Sequence, residues 1–254
     1  MVSLHAMNHH DYSFHSNGME FNFRVHRLDR VDNGIVFFLP SAKSDSTRDL
    51  YPYYPRQKWH SELLDYCVVY ISDPCDKLVE GFSPGSWFFN HDESVLPIIK
   101  EYILNIVDLN SKKILVYGSS MGGYAALLLG QLIGANFIIA ECPQLDLLKY
   151  KPFRALLNGY LSEAVLDRSW VSVFKYFNQF GFGEVEKIDI YLNYGDLIHV
   201  GYLVDELKSS ANIELIKSMR PGFLNVFISN DHNGYGHVNF PSSVGVFNIK
   251  KLLS

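Results

Sequence analysis

The sequence predicts an α/β protein whose sheet is mostly parallel and carries helices on both faces. Short apolar runs of the kind found in strands buried on both sides recur along the chain, and stretches with helical spacing separate them. The composition agrees: of 254 residues, 48% are apolar and 19% charged. That is close to the soluble globular average and supplies enough apolar surface to offset chain entropy.

The elements read in order as follows. Residues 19–30 alternate apolar and polar through Met19, Phe21, Phe23 and Val25, as a half-buried strand does. Residues 34–39 are a continuous apolar run that Pro40, Ser41 and Ala42 turn, and 66–72 are another, closed by Asp73 and Pro74. Over 94–107, Val95, Ile98, Ile99, Tyr102, Ile103 and Ile106 share one helical face. A strand at 113–117 leads into a small-residue-rich helix at 121–133, and 136–140 is a further strand. Residues 145–183 read as helical and aromatic-rich, a cap-like insertion. Strands at 188–193 and 223–229 flank a helix near 201–210, and a final helix covers about 242–253. Pro and Gly are scattered and no repeat or linker appears, so residues 1–254 read as a single α/β domain.

Composition also excludes. Lys and Arg number 22 against 27 Asp and Glu, a formal charge of −5, which argues against nucleic acid as a partner. The three cysteines, Cys67, Cys75 and Cys142, form neither a disulfide framework nor a zinc knuckle. A reducing, cytoplasmic setting fits them. Residues 1–12 carry His5, His9, His10 and Asp11 with no apolar run, so no signal peptide is expected. The longest apolar stretch, 114–140, is broken by a glycine-rich turn and reads as strand, turn and helix, not as a membrane span. No acidic or cysteine cluster joins the N-terminal histidines, and no metal is expected.

The turn is where the chemistry begins. Gly118-Ser119-Ser120-Met121-Gly122 fits G-x-S-x-G between a strand and a helix, the setting of a nucleophile elbow. A phosphate loop needs G-K-[ST], which is absent, and a dinucleotide fingerprint needs G-x-G-x-x-G, which G-S-S-M-G-G lacks. The middle serine, Ser120, is therefore the candidate nucleophile, with Ser119 beside it. A hydroxyl needs a base, and in the α/β-hydrolase fold the partners follow in the order Ser, acid, His. Asp196, after Gly195 at the end of the 188–194 strand, is the candidate acid; Asp189 within the strand and Asp205 in the next helix fit less well. His237, just before the last helix, is the candidate base, and His232 is the alternative base on the same loop. His199 reads as a pocket wall. Two N–H donors for an oxyanion hole are expected from Met121 and from Ser41 or Ala42.

With Ser120, Asp196 and His237 in that order, the chain resembles small α/β-hydrolase-fold enzymes of bacterial surface polysaccharides. Within them it is most similar to capsule O-acetyltransferases of the serogroup A meningococcal kind. The residues that carry this are Leu115 to Gly123 with the Ala-Leu-Leu-Leu-Gly run after them, Pro143-Gln144, Gly236-His237-Val238-Asn239, and Ser41-Ala42. Met121 and the 40–60 loop depart from the pattern. A second resemblance is to the accessory Sec export component that carries an acyltransferase-like triad. The first resemblance implies acetyl-CoA as donor and a hydroxyl of a carbohydrate polymer or oligosaccharide as acceptor. With water as acceptor the same residues make an esterase. A third reading is an inert hydrolase-fold binding protein, and the intact order of Ser, Asp and His speaks against it. Homo-oligomerisation stays open on the sequence.

Some features admit two readings. Trp87-Phe88-Phe89 and Tyr51, Tyr53 and Tyr54 fit a sugar-stacking platform or ordinary packing, the second being the default. Lys149, Lys151 and Arg154 fit a basic strip or a solvated helix face. Cys142 lacks an elbow and reads as buried packing.

Overall fold

The computed structural model describes residues 9–79, 84–110, 112–230, 234, 236, 237 and 239–254. It opens with β1 (His9–Ser16) and β2 (Met19–His26), an antiparallel pair turning at Asn17 and Gly18, both at positive φ (51° and 74°). Asn-Gly favours that two-residue turn because both positions need left-handed backbone. The chain continues through β3 (Ile35–Leu39), β4 (Cys67–Ile71), the short β5 (Phe89–Asn90) and β6 (Glu93–Ser94), and α1 (Leu96–Ile106). Then come β7 (Ile114–Ser119), α2 (Met121–Leu132), β8 (Phe137–Glu141), α3 (Lys151–Gly159) and α4 (Val173–Phe180). Last are β9 (Lys187–Asn193), α5 (Leu197–Lys208), α6 (Ser210–Ser218), β10 (Leu224–Ser229) and α7 (Ser242–Leu253).

Eight strands make one sheet in the order β1-β2-β4-β3-β7-β8-β9-β10. The pairs β1–β2 and β2–β4 are antiparallel and the other five are parallel. From β3 the chain goes to β4 on one side and later to β7 on the other. Strand order therefore reverses between β3 and β7, and ligands of open α/β sheets bind in the crevice outside the strand ends at such a point. Leu39 pairs with Gly118 there, which brings the loop after β3 against the elbow after β7.

The pattern of each strand explains the layers. Side chains alternate across a sheet, so Ile35, Phe37, Leu39, Val69, Ile71, Ile114 and Val116 join the larger core with α1, α2 and α4. Val36, Phe38, Val68, Tyr70, Leu115 and Tyr117 join the smaller core with Trp59 and the Val246, Ile249 and Leu253 face of α7. Every residue of α2 from Met121 to Gly130 is buried, as expected of a helix that is apolar all round. A Cβ at Gly130 would lie 2.6 Å from Ile138 Cδ1, so glycine sets how closely α2 approaches β8.

Four expectations change. The first strand, β1, goes unpredicted. The 19–30 strand ends at His26, because Arg27 turns left-handed (φ 56°) into a 3-10 turn at Leu28–Asn33. The single helix near 201–210 is two, α5 and α6, parted at Ser209, whose ψ of 128° is extended. In 145–183, α3 and α4 are joined by 3-10 turns rather than continuous helix. Trp87, Phe88 and Phe89 are wholly buried, and Phe153 of α3 packs edge-on against Trp87 and Phe89. They are packing, not a sugar platform. Among the described residues no helix is long and apolar enough to cross a membrane.

Candidate active site

β7 ends at Ser119 and α2 begins at Met121, so Ser120 alone turns the chain. It does so at φ 55° and ψ −120°, a conformation that costs a residue with a side chain on the order of 1–3 kcal/mol. The surroundings enforce it. The Ser120 N–H donates to the Glu141 carbonyl at 2.8 Å, and its own carbonyl accepts from Gly123 and Tyr124. Glycines make the room: a Cβ on Gly118 would overlap the Gly122 carbonyl, and one on Gly122 would lie 2.5 Å from the Pro40 oxygen.

His237 Nε2 lies 2.9 Å from Ser120 Oγ, and its Nδ1 lies 2.6 Å from Asp196 Oδ2. A carboxylate only accepts, so Nδ1 carries the proton and Nε2 offers its lone pair to the hydroxyl. Ser120, Asp196 and His237 are thus brought together. His232 lies outside the described residues. Asp189 is buried between Lys187 (3.2 Å) and Asn225 (2.8 Å), and Asp205 is exposed on α5.

Two further side chains complete the contacts, and sequence reasoning missed both roles. His199, three residues into α5, donates from Nδ1 to the other Asp196 oxygen, Oδ1, at 2.8 Å. Its ring stacks on His237 with centroids 4.3 Å apart. It is therefore not a bare pocket wall. Burial pushes the Asp196 carboxyl up, but hydrogen bonds from His199 and His237 and their charges outweigh that and hold it well below the usual carboxylate range. Gln144 donates from Nε2 to Ser120 Oγ at 2.9 Å, and the same nitrogen stands 3.5 Å from His199 Nε2. Trp87 Nε1 donates to Gln144 Oε1 at 3.4 Å, which fixes the amide's orientation. A Gln three residues past a strand end carries no signature of its own; its place beside Pro143 was the available signal.

Beside these contacts lies a second network that ties the segment after His237 to the elbow. Ser119 Oγ donates to Asn239 Oδ1 at 2.9 Å and accepts from the Arg56 guanidinium at 2.6 Å. Glu141 accepts from Tyr117 (2.6 Å), from the Phe240 N–H and from Arg56 (3.5 Å), and is wholly buried. Arg56 also lies over the rings of Trp59 and Tyr117. A cavity of about 620 Å³ opens here, lined by Ser41, Tyr53, Arg56, Trp59 and Asn239 among others.

The expected oxyanion donors sit close by. Met121 is the first residue of α2, where an N–H has no intrahelical partner. Ala42 packs into the larger core, and a Cβ on Gly85 would meet Met121 Sδ and lie 3.6 Å from Ala42 Cα, so the Met121 side chain and the Ala42 backbone both border Gly85. Lys43 fastens that loop through a buried ion pair with Asp76 (3.3 Å) and a backbone bond to Pro84 (2.8 Å). Burial, with Asp73 nearby, pushes the Asp76 carboxyl up to about 8 against the pull of Lys43. Lys149 is engaged by Glu206 at 2.5 Å and Arg154 by the Leu148 carbonyl, while Lys151 is exposed on α3.

No protein-family model and no curated protein matches the chain. Solved structures do. One is the capsule O-acetyltransferase of Neisseria meningitidis serogroup A, as a variant in complex with CoA, at 18% identity and TM-score 0.67 over 96% of this chain and 95% of that one. Another is an S-formylglutathione hydrolase from Agrobacterium tumefaciens, at 15% identity and TM-score 0.63 over 96% and 94%. A third is FphF, a fluorophosphonate-binding serine hydrolase of Staphylococcus aureus, at 13% identity and TM-score 0.61 over 97% and 98%. With the mostly parallel eight-stranded sheet, helices on both faces and the strand–turn–helix at Ser120, these likenesses show that the chain has the α/β-hydrolase fold.

Proposed function

We propose that the chain is a serine-dependent acyl-transfer enzyme that O-acetylates a carbohydrate. The observation that carries this reading is the contact between Ser120 Oγ and His237 Nε2, backed by Asp196 on Nδ1. Ser120 Oγ attacks the acyl carbonyl carbon and gives its proton to His237 Nε2. Asp196 stabilises the resulting imidazolium without taking its proton. The carbonyl oxygen becomes an oxyanion held by the Met121 N–H and by an N–H at Ser41 or Ala42. The leaving group departs with the proton from His237 and leaves an acyl ester on Ser120. An acceptor hydroxyl then loses its proton to His237, attacks the ester, and the proton returns to Ser120 Oγ.

The likeness to an O-acetyltransferase solved with CoA supports acetyl-CoA as donor and a capsular or surface polysaccharide as acceptor. The likeness to S-formylglutathione hydrolase and FphF supports the alternative in which water is the acceptor and the chain is an esterase. Partition of the acyl-enzyme separates the two. Protein incubated with acetyl-labelled CoA is expected to move label onto added glycans. Free acetate released at a rate no glycan alters would reject transfer in favour of hydrolysis.

A further inference from the structure

Asp196 is hydrogen-bonded to two imidazoles at once. Oδ2 accepts from His237 Nδ1 at 2.6 Å and Oδ1 from His199 Nδ1 at 2.8 Å. Both Nδ1 atoms are donors, so in the neutral rings both Nε2 atoms are acceptors. One Nε2 receives the Ser120 hydroxyl and the other faces the Gln144 amide, whose nitrogen also reaches Ser120 Oγ. The contacts close into a cycle from Ser120 through His237, Asp196, His199 and Gln144 back to Ser120. A base that needs only an orienting carboxylate has no use for the second ring.

We infer that His199 is a positioning residue that divides the Asp196 carboxylate between two rings and so keeps His237 in its neutral, proton-accepting form. A hydrogen bond to Oδ1 stabilises the anion and lowers its pull on the His237 proton.

Other groups leave this balance to the histidines. Cys142 faces Asp196 and His237, with the three ligand atoms within 4.8 Å of one another, and burial pushes its thiol up to about 12, so it stays neutral. Tyr150 and Tyr202 face the His199 ring, with centroids at 5.8 and 6.3 Å. Burial raises the Tyr150 phenol, with Asp196 adding to it. Behind Cys142 the charges of Arg56 and Glu141 are paired with each other.

The inference rests on reading Ser120 and His237 as the reacting pair, but its test needs no turnover. Imidazole resonances of His237 are titrated by NMR in the wild type, His199→Phe and His199→Asn. Phe keeps a stacking ring and removes the donor; Asn restores an N–H near the place of Nδ1. The His237 midpoint is expected to rise by about one pH unit in His199→Phe and to return close to wild type in His199→Asn. An unmoved or lowered midpoint in His199→Phe, or equal shifts in both variants, overturns the inference. Should His199→Phe not fold, a His199→Asn midpoint well above wild type overturns it and one within error supports it. Loss of the acyl-transfer reading would show differently, as a wild type inert to a serine probe with its titration intact.

Discussion

Ser119 and Ser120 are neighbours in sequence and near-equals in hydrogen bonding, yet only one is set up to react. Each hydroxyl accepts one bond and donates one. Ser119 accepts from Arg56 and donates to the Asn239 amide oxygen. Ser120 accepts from Gln144 and donates to His237 Nε2. An amide oxygen does not take a proton near neutral pH, whereas an imidazole titrates in that range. On the proposed function, the identity of the acceptor, and not the serine or its burial, separates a structural hydroxyl from a nucleophile. The two networks divide the work: Arg56, Glu141, Tyr117 and Asn239 tie the segment after His237 to the elbow, and the cycle around Asp196 uses His237.

Removing each hydroxyl in turn separates the two serines most strongly. Ser120→Ala should lower acyl turnover by about 10⁴-fold or more, on the scale of triad removals in other serine enzymes. Ser119→Ala should leave the rate within about tenfold and cost about 1 kcal/mol of stability from a lost hydrogen bond. Steady-state kinetics and urea denaturation of the pair check both, and comparable rate losses would contradict the division of work. Next in size is Arg56→Met, which takes the buried positive charge away from the wholly buried Glu141 carboxylate and the donor away from Ser119 Oγ. It should destabilise the fold by about 3–5 kcal/mol, read as a fall in the denaturation midpoint, with reactivity retained in the molecules that remain folded.

Smaller effects sharpen the other side. Gln144→Ala should slow turnover by about tenfold, the scale of one hydrogen bond, and lower the denaturation midpoint, because the buried Trp87 N–H loses its acceptor. Asp196 gives a pH signature. Its folded carboxyl is held below its unfolded value of about 3.9, so it contributes stability above that pH which is lost as the pH falls. The stability gap between wild type and Asp196→Asn should narrow by about 1 kcal/mol between about pH 5 and pH 3. A gap constant across that range would contradict the paired state of the carboxylate.

Much of this was legible in the residues because its causes are local. Continuous apolar runs at 35–39, 67–71 and 114–117 need burial on both faces, and Gly118 is demanded by its contact with Gly122 in the same turn, whereas Gly122 is demanded by the distant Pro40 carbonyl and was read from the motif. Ser120 followed from the elbow and Asp196 from its place after a late strand, while the choice of His237 over His232 stayed open until the geometry placed His237 beside Ser120. The first strand hid because its exposed edge, His9-His10-Asp11-Tyr12-Ser13, is too polar to register as apolar alternation, although Asn17-Gly18 marked the hairpin. His199 shares Asp196 only because it stands three positions on, one turn into α5, which spacing could have suggested. Gln144 was noticed only for its place beside Pro143, and the roles of Gln144 and Arg56 could not be read. Their roles arise from contacts 24 and 63 positions away in the chain, and neither residue type announces itself.

The central claim is that Ser120 is made nucleophilic by His237. The most direct measurement is to label the folded protein with a fluorophosphonate probe and map the modified residue by peptide mass spectrometry, in the wild type and in His237→Ala. The account predicts a single adduct on Ser120 that His237→Ala abolishes. An adduct on Ser119, none in folded wild type, or one that forms equally fast without His237 would contradict it.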